Sequence, residues 1–69
     1  NKTMMTKDDL EVLVDKLGMD VVVTWLEDIA YEKADHLRCN WQDEHGAKVW
    51  DKIAHALCRA SAKIWQLKG

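Results

Sequence analysis

Apolar residues in the second half of the chain recur at helical spacing in two adjacent rows. Trp50, Ile53, Leu57, Ala60 and Ile64 form one row, and Ala54, Cys58, Ser61 and Trp65 form the other, in steps of three and four residues. This pattern predicts a helix with more apolar face than one neighbour can cover. Lys48, Lys52, Arg59 and Lys63, with His55 among them, recur on the opposite side. Earlier in the chain, Leu10, Leu13, Val14 and Leu17 mark one face of a shorter helix over residues 7–17. Thr6 is its expected N-cap, Asp8, Asp9 and Glu11 place negative charge at the positive end of the helix dipole, and Gly18 ends it. A second helix is expected with Asp20 as its cap. It opens on Val21, Val22 and Val23 and continues through Trp25, Leu26, Ile29, Ala30, Ala34 and Leu37.

The boundary between the second and third helices has two readings. Asn40 can cap a new helix at Trp41, or the second helix can run through Trp41 and close at Gly46. A break at Cys39–Trp41 is preferred, with the third helix over residues 41–67. Only one β-branched cluster occurs, at residues 21–24, and the chain has no proline and three glycines. The expected fold is therefore all-α: a single domain in which a short first helix packs on a long antiparallel hairpin of the second and third. Asn1–Met5 carries no pattern and is expected to fray. No internal repeat, linker or low-complexity segment interrupts the chain.

Sixty-nine residues bury a small core, and chains this short usually need further help to be stable. Two cysteines and no secretory signal make disulfides a poor source of it and point to reduced thiols and a cytoplasmic location. Association through the apolar surplus is the better source, and a homodimer is expected. Four tryptophans and no phenylalanine is an unusual aromatic set; Trp carries a large apolar body with one N–H, which suits interfaces. Trp25, Trp41, Trp50 and Trp65 are the candidate interface anchors. No apolar run approaches the roughly 20 residues that a membrane span needs, so a soluble protein with no membrane role is expected.

Charge and candidate chemistry narrow the picture further. Residues 1–35 carry nine acids and four bases, and residues 36–69 carry three acids and six bases. Asp28, Glu32 and Asp35 form an acidic row on the second helix that could face the basic row of the third, within one chain or between copies. Opposite-signed halves with a net charge of −2 argue against a dedicated nucleic-acid binder, though the basic row could follow a phosphate backbone. His36-x-x-Cys39 and His55-x-x-Cys58 are each an i, i+3 pair of zinc-ligand type, with Glu32 one turn before His36. Set against the Leu37 and Leu57 rows, however, the two pairs point away from a shared seam, so neither a metal nor another cofactor is assigned. Cys58 is read instead as a small core residue in the row of Ala54 and Ser61. Pairs such as Glu44 with His45 are ordinary surface neighbours, and Ser61, the single serine, lies in a packing row without a glycine-rich turn beside it. No catalytic residue is assigned and no enzymatic activity is expected. A protein interaction or accessory module acting as a homo-oligomer is the expected function, with metal binding and nucleic-acid binding as alternatives.

Overall fold

The structure is a computed structural model that describes residues 5–68. Among these residues the chain forms α1 (Lys7–Leu17), α2 (Met19–Asn40) and α3 (Glu44–Lys68), and no strand. Asn1–Met5, expected to fray, lies outside the described residues except for Met5.

Each boundary has a local cause. The Asp9 amide donates to Thr6 Oγ1 at 3.3 Å while the Thr6 amide donates to Asp9 Oδ2 at 3.0 Å, a reciprocal cap that opens α1. Gly18 closes it with φ +93°, a conformation that glycine adopts freely, and its N–H donates to the Val14 carbonyl at 2.8 Å. Gly18 is also the residue from which α2 starts. This corrects the expectation that Asp20 caps α2. With one residue between the helices, position 20 already lies inside the first turn. There Asp20 is buried and accepts a hydrogen bond from Lys68 Nζ at 2.8 Å.

The turn between α2 and α3 falls where the break was preferred, but its cap differs from the expected one. Trp41 closes α2, Gln42 takes a left-handed φ of +52°, and the Asp43 amide donates to the Leu37 carbonyl at 2.9 Å. The Gly46 amide donates to Asp43 Oδ1 at 2.9 Å, so Asp43 caps α3 and Asn40 does not; Asn40 instead bonds the His36 ring at 2.7 Å. Gly46 is therefore no terminator. It sits in the first turn of α3, where an added Cβ would lie 3.2 Å from Leu37 Cδ1.

Helices α2 and α3 run antiparallel, as the contacts between them require. Asp20 meets Lys68, Thr24 meets Ser61, Tyr31 meets His55 and Arg38 meets Asp51, so residue numbers fall along one helix as they rise along the other. The most buried seam residues are small, seven apart on α3 and seven and then four apart on α2. Ala47, Ala54 and Ser61 of α3 are buried, as are Val23, Ala30 and Ala34 of α2. Trp50, Leu57 and Ile64 are half-buried between them, giving the alternating three- and four-residue steps of helices that pack knobs into holes. Two corrections follow for α3. The seam runs between the two expected rows, leaving Ile53 and Ala60 exposed, and Cys58 is exposed rather than part of the small core row. Alanine at alternate seam positions of α3, facing Ala30 and Ala34, lets the axes approach toward the short end of the roughly 8–10 Å range, so larger side chains at those positions would hold the helices apart.

Helix α1 touches α2 and, among the described residues, makes no packing contact with α3. Among the described residues no third helix packs on both α2 and α3. The molecule measures 38 × 38 × 13 Å, and its radius of gyration of 14.2 Å exceeds the about 11 Å expected of a compact domain this long. No buried side chain among the described residues is larger than valine. If the small seam sets the helix spacing, Ala54→Leu destabilises the fold by about 1–3 kcal/mol, whereas Ala62→Leu on an exposed position changes it by less than about 0.5 kcal/mol. Urea unfolding of the two variants measures the difference.

Candidate interaction surface

The antiparallel seam divides the remaining positions into two broad faces. A residue that follows a seam position turns to one side, and a residue that precedes one turns to the other; in an antiparallel pair the two helices agree on which side is which. Arg38 with Asp51, and Tyr31 with His55, all follow seam positions and are in contact, which establishes the first face.

That first face is polar and tied together. Arg38 donates to Asp51 at 2.9 Å and to Glu44 at 3.4 Å, with Asp35 at 4.0 Å, so one guanidinium links α2, the start of α3 and its second turn. The hydrogen bond to Asp51, then the one to Glu44, raises the Arg38 pKa above its ordinary value. Tyr31 stands edge-on to the His55 ring, centroids 6.3 Å apart; burial, followed by the charges of Cys58, Glu27 and Asp51, raises its hydroxyl pKa. Thr24 Oγ1 donates to the Asp20 carbonyl at 2.9 Å and lies 3.2 Å from Ser61 Oγ. At the open end of the hairpin, Lys68 bonds Asp20 and lies 4.9 Å above the Trp65 ring. The hydrogen bond from Lys68 holds the Asp20 carboxyl below its ordinary value, with burial working in the other direction.

The second face is mostly aliphatic. Met19, Leu26 and Ile29 of α2 and Val49, Ile53, Ala56, Ala60 and Leu67 of α3 belong to this side and are exposed, whereas Val22, which precedes the seam residue Val23, is buried. Lys33, His36 and Lys63 are the charged or polar residues that interrupt this face. Beside it, Met19 joins Lys7, Leu10, Glu11 and Val14 of α1 to line a shallow groove of about 310 Å³. The exposed surface of the molecule is 5510 Å², against about 4,450 Å² for a typical folded monomer of 8.0 kDa. The aliphatic face is where that excess is most out of place, because contiguous exposed apolar surface marks a site of contact.

The four tryptophans do not form one surface. Trp50 is half-buried in the seam. Trp41 is 70% exposed in the hairpin turn, its indole N–H donating to His36 Nε2 at 3.1 Å. Trp25 lies exposed on the outer edge of α2, while Trp65 lies on the polar face under Lys68. The sequence led to an expected apolar surplus on the second and third helices but to aromatic rather than aliphatic residues as its anchors. The signal for the aliphatic face was the identity of each residue preceding Ala54, Leu57, Ser61 and Lys68.

The other candidate residues are also spread apart. Cys39 and Cys58 are free and exposed. Tyr31, not His36, is level with His55, so the two His-x-x-Cys pairs stand at different heights, and among the described residues no group of three His, Cys, Asp or Glu side chains could hold a metal. Glu32 lies on the outer edge of α2 and Lys52 and Arg59 on that of α3, while Asp35 reaches Arg38 on the polar face and Lys63 interrupts the aliphatic one. No ion pair joins Asp28, Glu32 or Asp35 to Lys48, Lys52, Arg59 or Lys63 among the described residues, which removes the expected intrachain pairing. No described helix is long and apolar enough to cross a membrane.

The clasp at the open end has a pH signature. In the unfolded chain Asp20 takes up its proton near the ordinary value of 3.8, and in the folded chain only at lower pH, so its contribution to stability is present above that value and lost as pH falls through the folded pKa. Thermal unfolding of the wild type and of Asp20→Asn is therefore expected to differ at neutral pH and to converge in strong acid. A difference that stays constant into strong acid contradicts this origin. No protein family, no curated protein and no solved structure matches the chain.

Proposed function

We propose that this protein is an interaction module that works as a homodimer, with a second copy covering the aliphatic face of its α2/α3 hairpin. One observation carries the reading: a two-helix layer exposes Leu26, Ile29, Val49 and Ile53 on one side, and no third helix of the described chain packs on both of its helices. The surface excess of about 1,050 Å² is comparable to the about 800 Å² that each partner contributes to a standard interface. Coverage by an identical face is favoured by economy of chemistry, because an aliphatic surface is complementary to itself. In this role the protein binds rather than catalyses. A cytoplasmic setting suits two exposed free thiols, which a reducing compartment keeps from cross-linking.

Sedimentation or light scattering at micromolar concentration tests the proposal. The expected mass is twice the 8.0 kDa of the chain, and Ile53→Glu is expected to return it to the single-chain value. A single-chain mass combined with a cooperative thermal transition in the wild type overturns the dimer.

A further inference from the structure

The geometry points to one particular dimer, an inference that rests on the homodimer reading above: the two aliphatic faces meet about a two-fold axis parallel to the helices, so that α2 of each copy lies along α3 of the other. Two plates joined by the same face can be related by an axis along the helices or by one across them. The axis across the helices stacks α2 on α2 and α3 on α3. The outer edges discriminate between the two. Glu32 stands two residues before the seam residue Ala34, and Lys52 two residues before Ala54, so both point away from the seam, and Arg59 stands in the same relation to Ser61. All three are exposed and have no ion-pair partner among the described residues. With the axis along the helices, the acidic edge of each copy borders the basic edge of the other. With the axis across them, acid meets acid and base meets base, which electrostatic complementarity disfavours.

Heights along the hairpin agree with this choice. Rotation about an axis parallel to the helices leaves height unchanged, and the contact of Tyr31 with His55 fixes which residues of α2 and α3 are level. Glu32 of one copy then stands about 3 Å in height from Lys52 of the second copy and about 7.5 Å, nearly one and a half helical turns, from its Arg59. At the open end, the bond between Asp20 and Lys68 places Leu67 level with Val21, about 3 Å along the axis from Met19. Leu67 is 75% exposed, and it is brought over the groove that Leu10, Val14 and Met19 line in the second copy. An aliphatic knob without a site in its own chain thus meets an aliphatic groove without an occupant.

Sedimentation equilibrium of the full chain at low ionic strength tests this arrangement, with circular dichroism to establish that each variant keeps its helices. Glu32→Lys and Lys52→Glu, taken singly, are each expected to weaken the dimer about tenfold, since every contact occurs twice about the axis, and the two together to restore it to within about threefold of the wild type. Leu67→Ser is expected to weaken it about tenfold or more, and Val12→Ser, a change at another exposed aliphatic position on the far side of α1 from the groove, to leave it unchanged. A dimer tightened by Glu32→Lys, or one indifferent to both single charge reversals, overturns the parallel axis while leaving the dimer itself standing. A dimer indifferent to Leu67→Ser overturns the seating of Leu67 in the groove. A wild type that stays a monomer at every concentration overturns the homodimer reading and this arrangement with it.

Discussion

Close approach of α2 and α3 along a row of small side chains is the constraint on which the rest of the structure depends. Ala47 and Ala54 are fully buried, and Ala30 and Ala34 nearly so. Helices that meet through alanine come close together, and the larger seam residues Trp50, Leu57 and Ile64 reach only half-burial between them. The bulky residues of both helices are consequently displaced to the flanks and outer faces, where α1, which reaches only α2, does not cover them. The seam that makes a tidy hairpin thus also prevents that hairpin from containing a substantial apolar core. An isolated pair of helices with so little burial has little to set against the entropy of ordering its chain.

Alanines seven residues apart have a second consequence. A slip of one helix by seven residues would bring alanine against alanine again, so apolar packing along the seam specifies the register weakly. Polar side chains supply what it lacks. Arg38 bridges to Asp51 and Glu44 at the turn, Thr24 meets Ser61 toward the other end, and Lys68 reaches the buried Asp20 at the open end. A slip would separate these pairs and leave the Asp20 carboxylate buried without its cation, an expensive outcome in a low-dielectric site. Register and burial are therefore handled by opposite sides of the molecule: the polar face fixes how the helices align, and the aliphatic face is left for contact.

Local signals were the most legible part of this chain. The Thr6 cap, the Gly18 stop, the change of direction near Trp41 and the all-helical character all follow from short-range rules that neighbouring residues obey on their own. Tertiary choices were less legible. Two apolar rows lay side by side on α3, and spacing alone does not say which meets α2. The decision went to the line of smallest side chains, which hydrophobicity ranks low, so Ile53 and Ala60 fell outside and Ala47 inside. Asp20 looked like a cap because its type and position suit one. Its partner is Lys68, forty-eight residues away, and no local rule connects them. The tryptophans drew attention by their size and rarity, yet one fills the seam and the other three stand on separate parts of the surface. The surface was carried instead by ordinary aliphatic residues whose common position becomes visible only once the seam is known.

An account in which the hairpin is completed by another copy couples folding to association. The most direct measurement is the thermal unfolding midpoint of the wild-type protein across a hundredfold range of protein concentration, because a chain that gains its missing burial from a partner is stabilised by mass action. The account predicts a midpoint that rises steadily with concentration. A sharp, cooperative transition whose midpoint does not move with concentration would contradict it, since the alanine seam and α1 would then suffice to hold the fold by themselves.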